Sequence, residues 1–199
     1  MSAETERLRA HSPDVIAVGG SAGAWEVLVD VFATLPPTLP AAIVVVVHLP
    51  ADTDHRFVES LGAGCALPVV EAEDKMPVTP ATVYVAPADY HLLFERDGTL
   101  ALSADAPVHF SRPSIDVLFD SVAEAFGTRG CGILLSGASA DGAAGLAAIS
   151  RRGGLTWVQS PETARVPLMP QQALALVPHP RIAAADMARM FAEWGNARG

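Results

Sequence analysis

The chain has a single lysine, Lys75, and two cysteines in 199 residues. With 13 Lys+Arg against 22 Asp+Glu, the formal net charge is −9, so there is no basic stripe to displace counterions from a phosphate backbone. That argues against nucleic acid as a partner, although an acidic body can still be steered toward basic patches on another protein. Cys65 and Cys131 stand far apart, outside any CxxC or Cys/His spacing, and the first residues lack the apolar core of a secretion signal. Both observations point to a cytoplasmic protein. The longest apolar stretch, residues 39–47, is broken by Pro40 and falls well short of the ~20 residues of a membrane helix, so no membrane insertion is expected.

Half of the chain is hydrophobic, enough to bury a core as one domain. Residues 1–13, with Glu4, Glu6, Arg7 and Arg9, read as a flexible or weakly helical lead-in, and residues 14–196 as the single domain. The rest is organised around residues 15–25, V-I-A-V-G-G-S-A-G-A-W. Four apolar residues without a polar break suit a strand buried on both faces, and the glycines around Ser21 then permit a sharp turn into a helix. Gly19-x-Ser21-x-Gly23 fits a nucleophile elbow, which leaves a serine hydroxyl exposed above the sheet edge. It also fits a phosphate or dinucleotide cradle, so the rest of the chain must decide.

A helix is expected over residues 25–35, stopped by Pro36-Pro37, and then a β-branched strand over 42–47 that ends at His48. A short helix over 54–61, capped by Asp52 or Thr53, leads to strands at 68–70 and 83–85. Residues 90–95 and 99–102 flank Arg96-Asp97-Gly98 as an antiparallel hairpin insertion. A helix with a proline in its first turn runs to Phe126, and a buried strand over 131–135 delivers the loop from Ser136 to Gly142. A small-residue helix (143–151), a strand (155–158) and helices over 169–176 and 182–194 complete the pattern. Alternating strands and helices of this kind predict an open, mainly parallel α/β sheet with helices on both faces, a Rossmann-like three-layer fold.

Ser21, His48 and Asp141 each follow a separate buried strand, on the edge where open parallel sheets collect functional groups. Taken singly, His48 is an ordinary loop histidine and Asp141 a helix N-cap before Gly142. Together they form the set that acyl transfer needs. A hydroxyl stays inert at neutral pH until an imidazole takes its proton, and a carboxylate must orient that imidazole. The order Ser, His, Asp differs from the Ser, acid, His of common elbow hydrolases.

Several motifs together resemble the catalytic domain of the chemotaxis protein-glutamate methylesterase (CheB-type) family. They are Ile16-Ala17-Val18-Gly19-Gly20-Ser21, Val47-His48-Leu49-Pro50, Tyr84-Val85-Ala86-Pro87-Ala88-Asp89-Tyr90-His91, Arg112-Pro113-Ser114-Ile115-Asp116-Val117-Leu118-Phe119 and Asp141-Gly142-Ala143-Ala144-Gly145. The resemblance covers nearly the whole chain. It implies a serine carboxyl-ester hydrolase acting on glutamate methyl esters of methylated cytoplasmic helices in chemoreceptor-type proteins, with glutamine deamidation as a second activity. It also implies Ser21 as nucleophile, His48 as general base and Asp141 as orienting acid, with no metal or organic cofactor.

The family usually has threonine and two glycines after the serine, where this chain has Ala22, Gly23 and Ala24. Its Gly-Met-Gly becomes Gly137-Ala138-Ser139, and its Gly-Met-Pro becomes Leu168-Met169-Pro170. An oxyanion hole from the amides near Ala22 or Ala138, and Met169 as a pocket wall, are the expectations for the substrate pocket. Because the pattern begins at Val15, no amino-terminal receiver domain is expected, leaving a free-standing esterase or one controlled by other signalling proteins. The competing readings are a scaffold with a drifted pocket and a nucleotide-binding oxidoreductase, the latter lacking a Tyr-x-x-x-Lys pair here.

Overall fold

A computed structural model describes residues 1–48 and 56–195 of the chain. Its centre is a seven-stranded sheet in the order β3-β4-β2-β1-β7-β8-β9, with every neighbouring pair parallel. These strands are β1 (Val15–Gly20), β2 (Ala42–Val47), β3 (Val69–Glu71), β4 (Val83–Val85), β7 (Gly130–Leu134), β8 (Leu155–Gln159) and β9 (Arg181–Ile182). All residues of β1, β2, β7 and β8 are buried, as unbroken apolar runs require when helices cover both faces of a sheet.

Two apolar clusters lie on opposite faces. One takes Ile16, Val18, Ile43 and Val45 from the sheet with Leu28, Phe32, Phe191 and Trp194 from α2 (Ala24–Phe32) and α7 (Ala184–Gly195). The other takes Val15, Ala17, Val44 and Val46 with Ile115, Phe119, Leu146 and Met169 from α4 (Ile115–Phe126), α5 (Ala143–Arg151) and α6 (Leu168–Leu176). Alternate residues of one strand thus feed alternate cores, the period-two rule of a pleated strand. The expected three-layer α/β architecture is what the chain forms.

Several boundaries differ from the sequence reading. Residues 3–11, within the expected flexible lead-in, form a helix, α1 (Ala3–His11), with Leu8 fully buried. It is held to α7 by Glu193, whose carboxylate accepts from the Thr5 hydroxyl at 2.7 Å and the Ser2 amide at 2.9 Å. The second helix ends at Phe32, three residues early; α3 (Arg56–Gly62) overlaps the expected helix, whose caps Asp52 and Thr53 lie outside the described residues. Ile182, expected to open the last helix, instead pairs with Gln159 in β9, and that helix begins at Ala184, because a two-residue strand carries no periodicity of its own. The hairpin, β5 (His91–Phe94) with β6 (Leu100–Ser103), is a separate antiparallel sheet whose Leu92, Phe94 and Leu100 join the second core. Pro113, expected in the first turn of α4, precedes the cap residue Ser114. Among the described residues no helix is long and apolar enough to cross a membrane.

Candidate active site

The sheet changes winding direction at β1, which has β2 on one side and β7 on the other. Crevices for ligands form at such points, above the carboxyl ends of the strands. Register brings Ser21 and His48 there together. Gly20 is paired with Val47, and the His48 amide donates to the Gly20 carbonyl at 3.1 Å, so the ladder continues one step past the strand ends. On the other side, the Ser21 amide donates to the Ser136 carbonyl at 2.9 Å. Gly23 then adopts φ +80°, a left-handed turn that glycine makes without strain, and α2 begins.

Asp141 reaches the crevice from the loop after β7 and is fully buried. Its Oδ2 accepts from His48 Nε2 at 2.7 Å and from the Ile115 amide at 2.7 Å. Its Oδ1 accepts from the Ser114 hydroxyl at 2.8 Å and the Asp116 amide at 2.9 Å. The carboxylate therefore sits on the amino terminus of α4, where exposed amides and the helix dipole favour negative charge. Burial alone pushes this carboxyl up. The hydrogen bonds from His48, Asp116, Ile115 and Ser114 outweigh that push and hold it below the ordinary carboxylate range. The sequence reading of Asp141 as an N-cap is half right: it caps α4, reached across the fold, while Gly142 at φ +91° caps its own helix α5.

A carboxylate accepts only, so the hydrogen bond to Asp141 places the proton of neutral His48 on Nε2 and leaves Nδ1 as the free base. This inverts the commoner arrangement, in which the acid binds Nδ1. The Ser111 hydroxyl lies 3.5 Å from Nδ1, at the outer limit of a hydrogen bond. The Ser21 hydroxyl makes no hydrogen bond of 3.5 Å or shorter among the described residues.

The amides of Ala22 and Ala138 donate to no acceptor among the described residues, and both residues are exposed. Met169 behaves differently from a wall residue. It is fully buried, and its Cε would lie 2.5 Å from a Cβ placed on Gly137, which in turn would be 3.0 Å from Ser21 Cβ. It therefore packs beneath the loop that meets the turn at Ser21, and Gly137 has no room for a side chain.

Three serines to which sequence reasoning gave no hydrogen-bonding role shape the site. The Ser136 hydroxyl is buried and donates to the Ala22 carbonyl at 2.7 Å, gripping the turn after Ser21. The Ser139 hydroxyl accepts from the Asp141 amide at 2.9 Å. Ser114 joins α4 to the acid, and its position before an apolar helix was a readable cap signal. A cavity of about 530 Å³ opens beside His48, lined among others by Tyr90, Phe110, Ser111, Arg112 and Pro113, while Ser21 lies outside its lining.

Ligand atoms of His109, Asp116 and Asp141 come within 4.8 Å of one another. As a metal set they fit poorly. Each oxygen of Asp141 already accepts two hydrogen bonds, and Asp116 receives the Gly145 amide at 2.7 Å and His109 at 3.3 Å.

The family model described as CheB methylesterase matches residues 16–190. A protein of Leptospira interrogans, provisionally named a protein-glutamate methylesterase/protein-glutamine glutaminase, is 42% identical over 161 residues, 81% of this chain and 83% of that protein. The protein-glutamate methylesterase/protein-glutamine glutaminase of Bordetella parapertussis is 41% identical over 171 residues, 84% of this chain but 49% of that longer protein. The crystal structure of the Thermotoga maritima CheB methylesterase catalytic domain superposes with a TM-score of 0.86 at 28% identity, covering 91% of this chain and 98% of that one. With the family model, the relatives' sequences and the fold all matching, the chain belongs to the CheB methylesterase family of enzymes.

Proposed function

We propose that this chain hydrolyses methyl esters of glutamate side chains on helices of chemoreceptor-type proteins in the cytoplasm, and deamidates glutamine there, through Ser21, His48 and Asp141. The observation that carries the reading is the buried Asp141–His48 hydrogen bond at the winding switch, one ladder step from Ser21. The relatives' names supply the substrate class.

In this reaction Ser21 Oγ attacks the ester carbonyl carbon while its proton passes to His48 Nδ1. Asp141 stabilises the imidazolium through Nε2 without taking the proton itself. The oxyanion is held by the unengaged amides of Ala22 and Ala138, a role worth about 2.7–4 kcal/mol per donor in related chemistry. Breaking the C–O bond to the methoxy group, with the proton returned from His48, releases methanol and leaves an acyl-enzyme on Ser21. Water then attacks that ester, His48 again accepts and returns a proton, and the glutamate carboxylate departs. For glutamine the leaving group is ammonia instead of methanol.

The substitutions Ala22, Gly23, Ala24 and Ala138 change side chains around this path but leave its backbone donors in place. No organic cofactor or metal takes part in these steps. The test is methanol release from a methylated receptor fragment, compared with a small alkyl ester lacking the helix. Faster turnover of the fragment supports the reading. Binding of the fragment without methanol release across neutral to mildly alkaline pH would favour the scaffold.

A further inference from the structure

His91 is a buried histidine that the reaction above does not use. It opens β5, in the small sheet, and both its ring nitrogens meet backbone groups. The Ser114 amide donates to Nδ1 at 3.1 Å, and Nε2 lies 3.1 Å from the Ala106 carbonyl oxygen. An amide N–H can only donate and a carbonyl can only accept, so the ring is held as the neutral tautomer with its proton on Nε2. Ser114 in turn gives its hydroxyl to Asp141 Oδ1 at 2.8 Å, and the next two amides, of Ile115 and Asp116, also end on that carboxylate.

We infer that His91 is a positioning residue for the acid. Its Nδ1 fixes the Ser114 peptide, and through Ser114 and the first turn of α4 it sets where the Asp141 carboxylate stands and hence how His48 is aimed. This rests on the triad reading of the site. The hairpin thus contributes a hydrogen bond to the catalytic helix as well as apolar packing, because Leu92 and Phe94 beside His91 already fill the second core. Without an acceptor at the Nδ1 position, the Ser114 amide would be a buried donor seeking another partner, and turning that peptide would move the hydroxyl off Asp141.

Two amide substitutions separate the roles of the ring nitrogens. In His91→Asn the side-chain oxygen stands near the place of Nδ1 and still accepts from Ser114. In His91→Gln the amide reaches the place of Nε2, keeps the Ala106 contact and leaves Ser114 unpaired. We expect His91→Asn to recover kcat to within about five-fold of wild type, and His91→Gln to lose up to the ~100-fold that a 1 Å misplacement costs, with KM unchanged in both. The low-field NMR proton of His48 Nε2–H should persist in wild type and His91→Asn and shift or vanish in His91→Gln. Equal kcat losses with that proton retained in both variants would overturn the inference. Should His91→Gln fail to fold, Ser114→Ala against Ser114→Thr asks the same question: the first should lose the proton signal and rate, the second recover them, and equal behaviour would overturn the inference. If wild type released no methanol, the triad reading would fall, and the proton signal alone would still decide the role of His91.

Discussion

The two nitrogens of His48 face two differently built halves of the site. On the Nε2 side stands a fully buried carboxylate with four hydrogen-bond donors, three of them from one helix terminus. On the Nδ1 side stands the Ser111 hydroxyl at 3.5 Å, while the Ser21 hydroxyl, one ladder step from His48, makes no hydrogen bond among the described residues. The Asp141 half is fully hydrogen-bonded without substrate; the Ser21 half is held by its backbone, and its hydroxyl makes no hydrogen bond among the described residues. That asymmetry has a physical reason. A buried carboxylate without partners would cost several kcal/mol, so it has to be satisfied in the resting fold, whereas the hydroxyl of a half-buried serine can wait. Hydrogen bonds of catalytic groups are often loose without substrate and tighten in the complex.

The largest effects should come from breaking the hydroxyl–imidazole half. Ser21→Ala and His48→Ala are each expected to lower kcat by about 10⁴-fold or more, and the double variant by little more than either, since a triad acts as one unit. Steady-state methanol release measures all three, and multiplicative losses would mean that the residues act separately. On the Asp141 side, Asp141→Asn should cost less in rate than either, at most about 10⁴-fold, but more in stability. An amide has one accepting oxygen, so either orientation turns its NH₂ toward two donors, a penalty of about 2 kcal/mol or more by thermal unfolding.

The same half sets the response to acid. The Asp141 carboxyl is lowered in the fold, so its stabilisation is complete above the ordinary carboxylate range and is lost as pH falls through the lowered value. Asp116 works in the opposite sense. Burial raises its carboxyl, against the lowering pull of the Gly145 amide, so its stabilising contribution is present at acid pH and lost as pH rises through the raised value. Asp116→Asn, which keeps an acceptor for Gly145, should therefore unfold at the same or a higher temperature than wild type near neutrality. That difference should shrink as pH falls; a growing difference would reverse the sign assigned to Asp116.

Much of this arrangement was legible in the chain. Unbroken apolar runs marked the buried strands, and their last residues placed Ser21, His48 and Asp141 along one edge. What could not be read was orientation. Nothing local to Asp141 says that its carboxylate reaches Ser114, Ile115 and Asp116, some 25 residues away, or that His48 offers it Nε2 and keeps Nδ1 free. Met169 misled for a related reason: its motif suggested a pocket wall, but the side chain points into the core beneath Gly137. Helix α1 read only as a flexible or weakly helical lead-in because only Thr5 and Leu8 of its residues are buried, too few for an apolar stripe, and its docking depends on Glu193 at the far end of the chain.

The central claim is that Ser21, and not the hydroxyl standing 3.5 Å from His48 Nδ1, is the nucleophile. Methanol release from a methylated receptor fragment should be compared for Ser21→Ala and Ser111→Ala under one set of conditions. The account predicts a Ser21→Ala rate lower by about 10⁴-fold and a Ser111→Ala rate within about three-fold of wild type. Loss of turnover in Ser111→Ala with Ser21→Ala still active would contradict it.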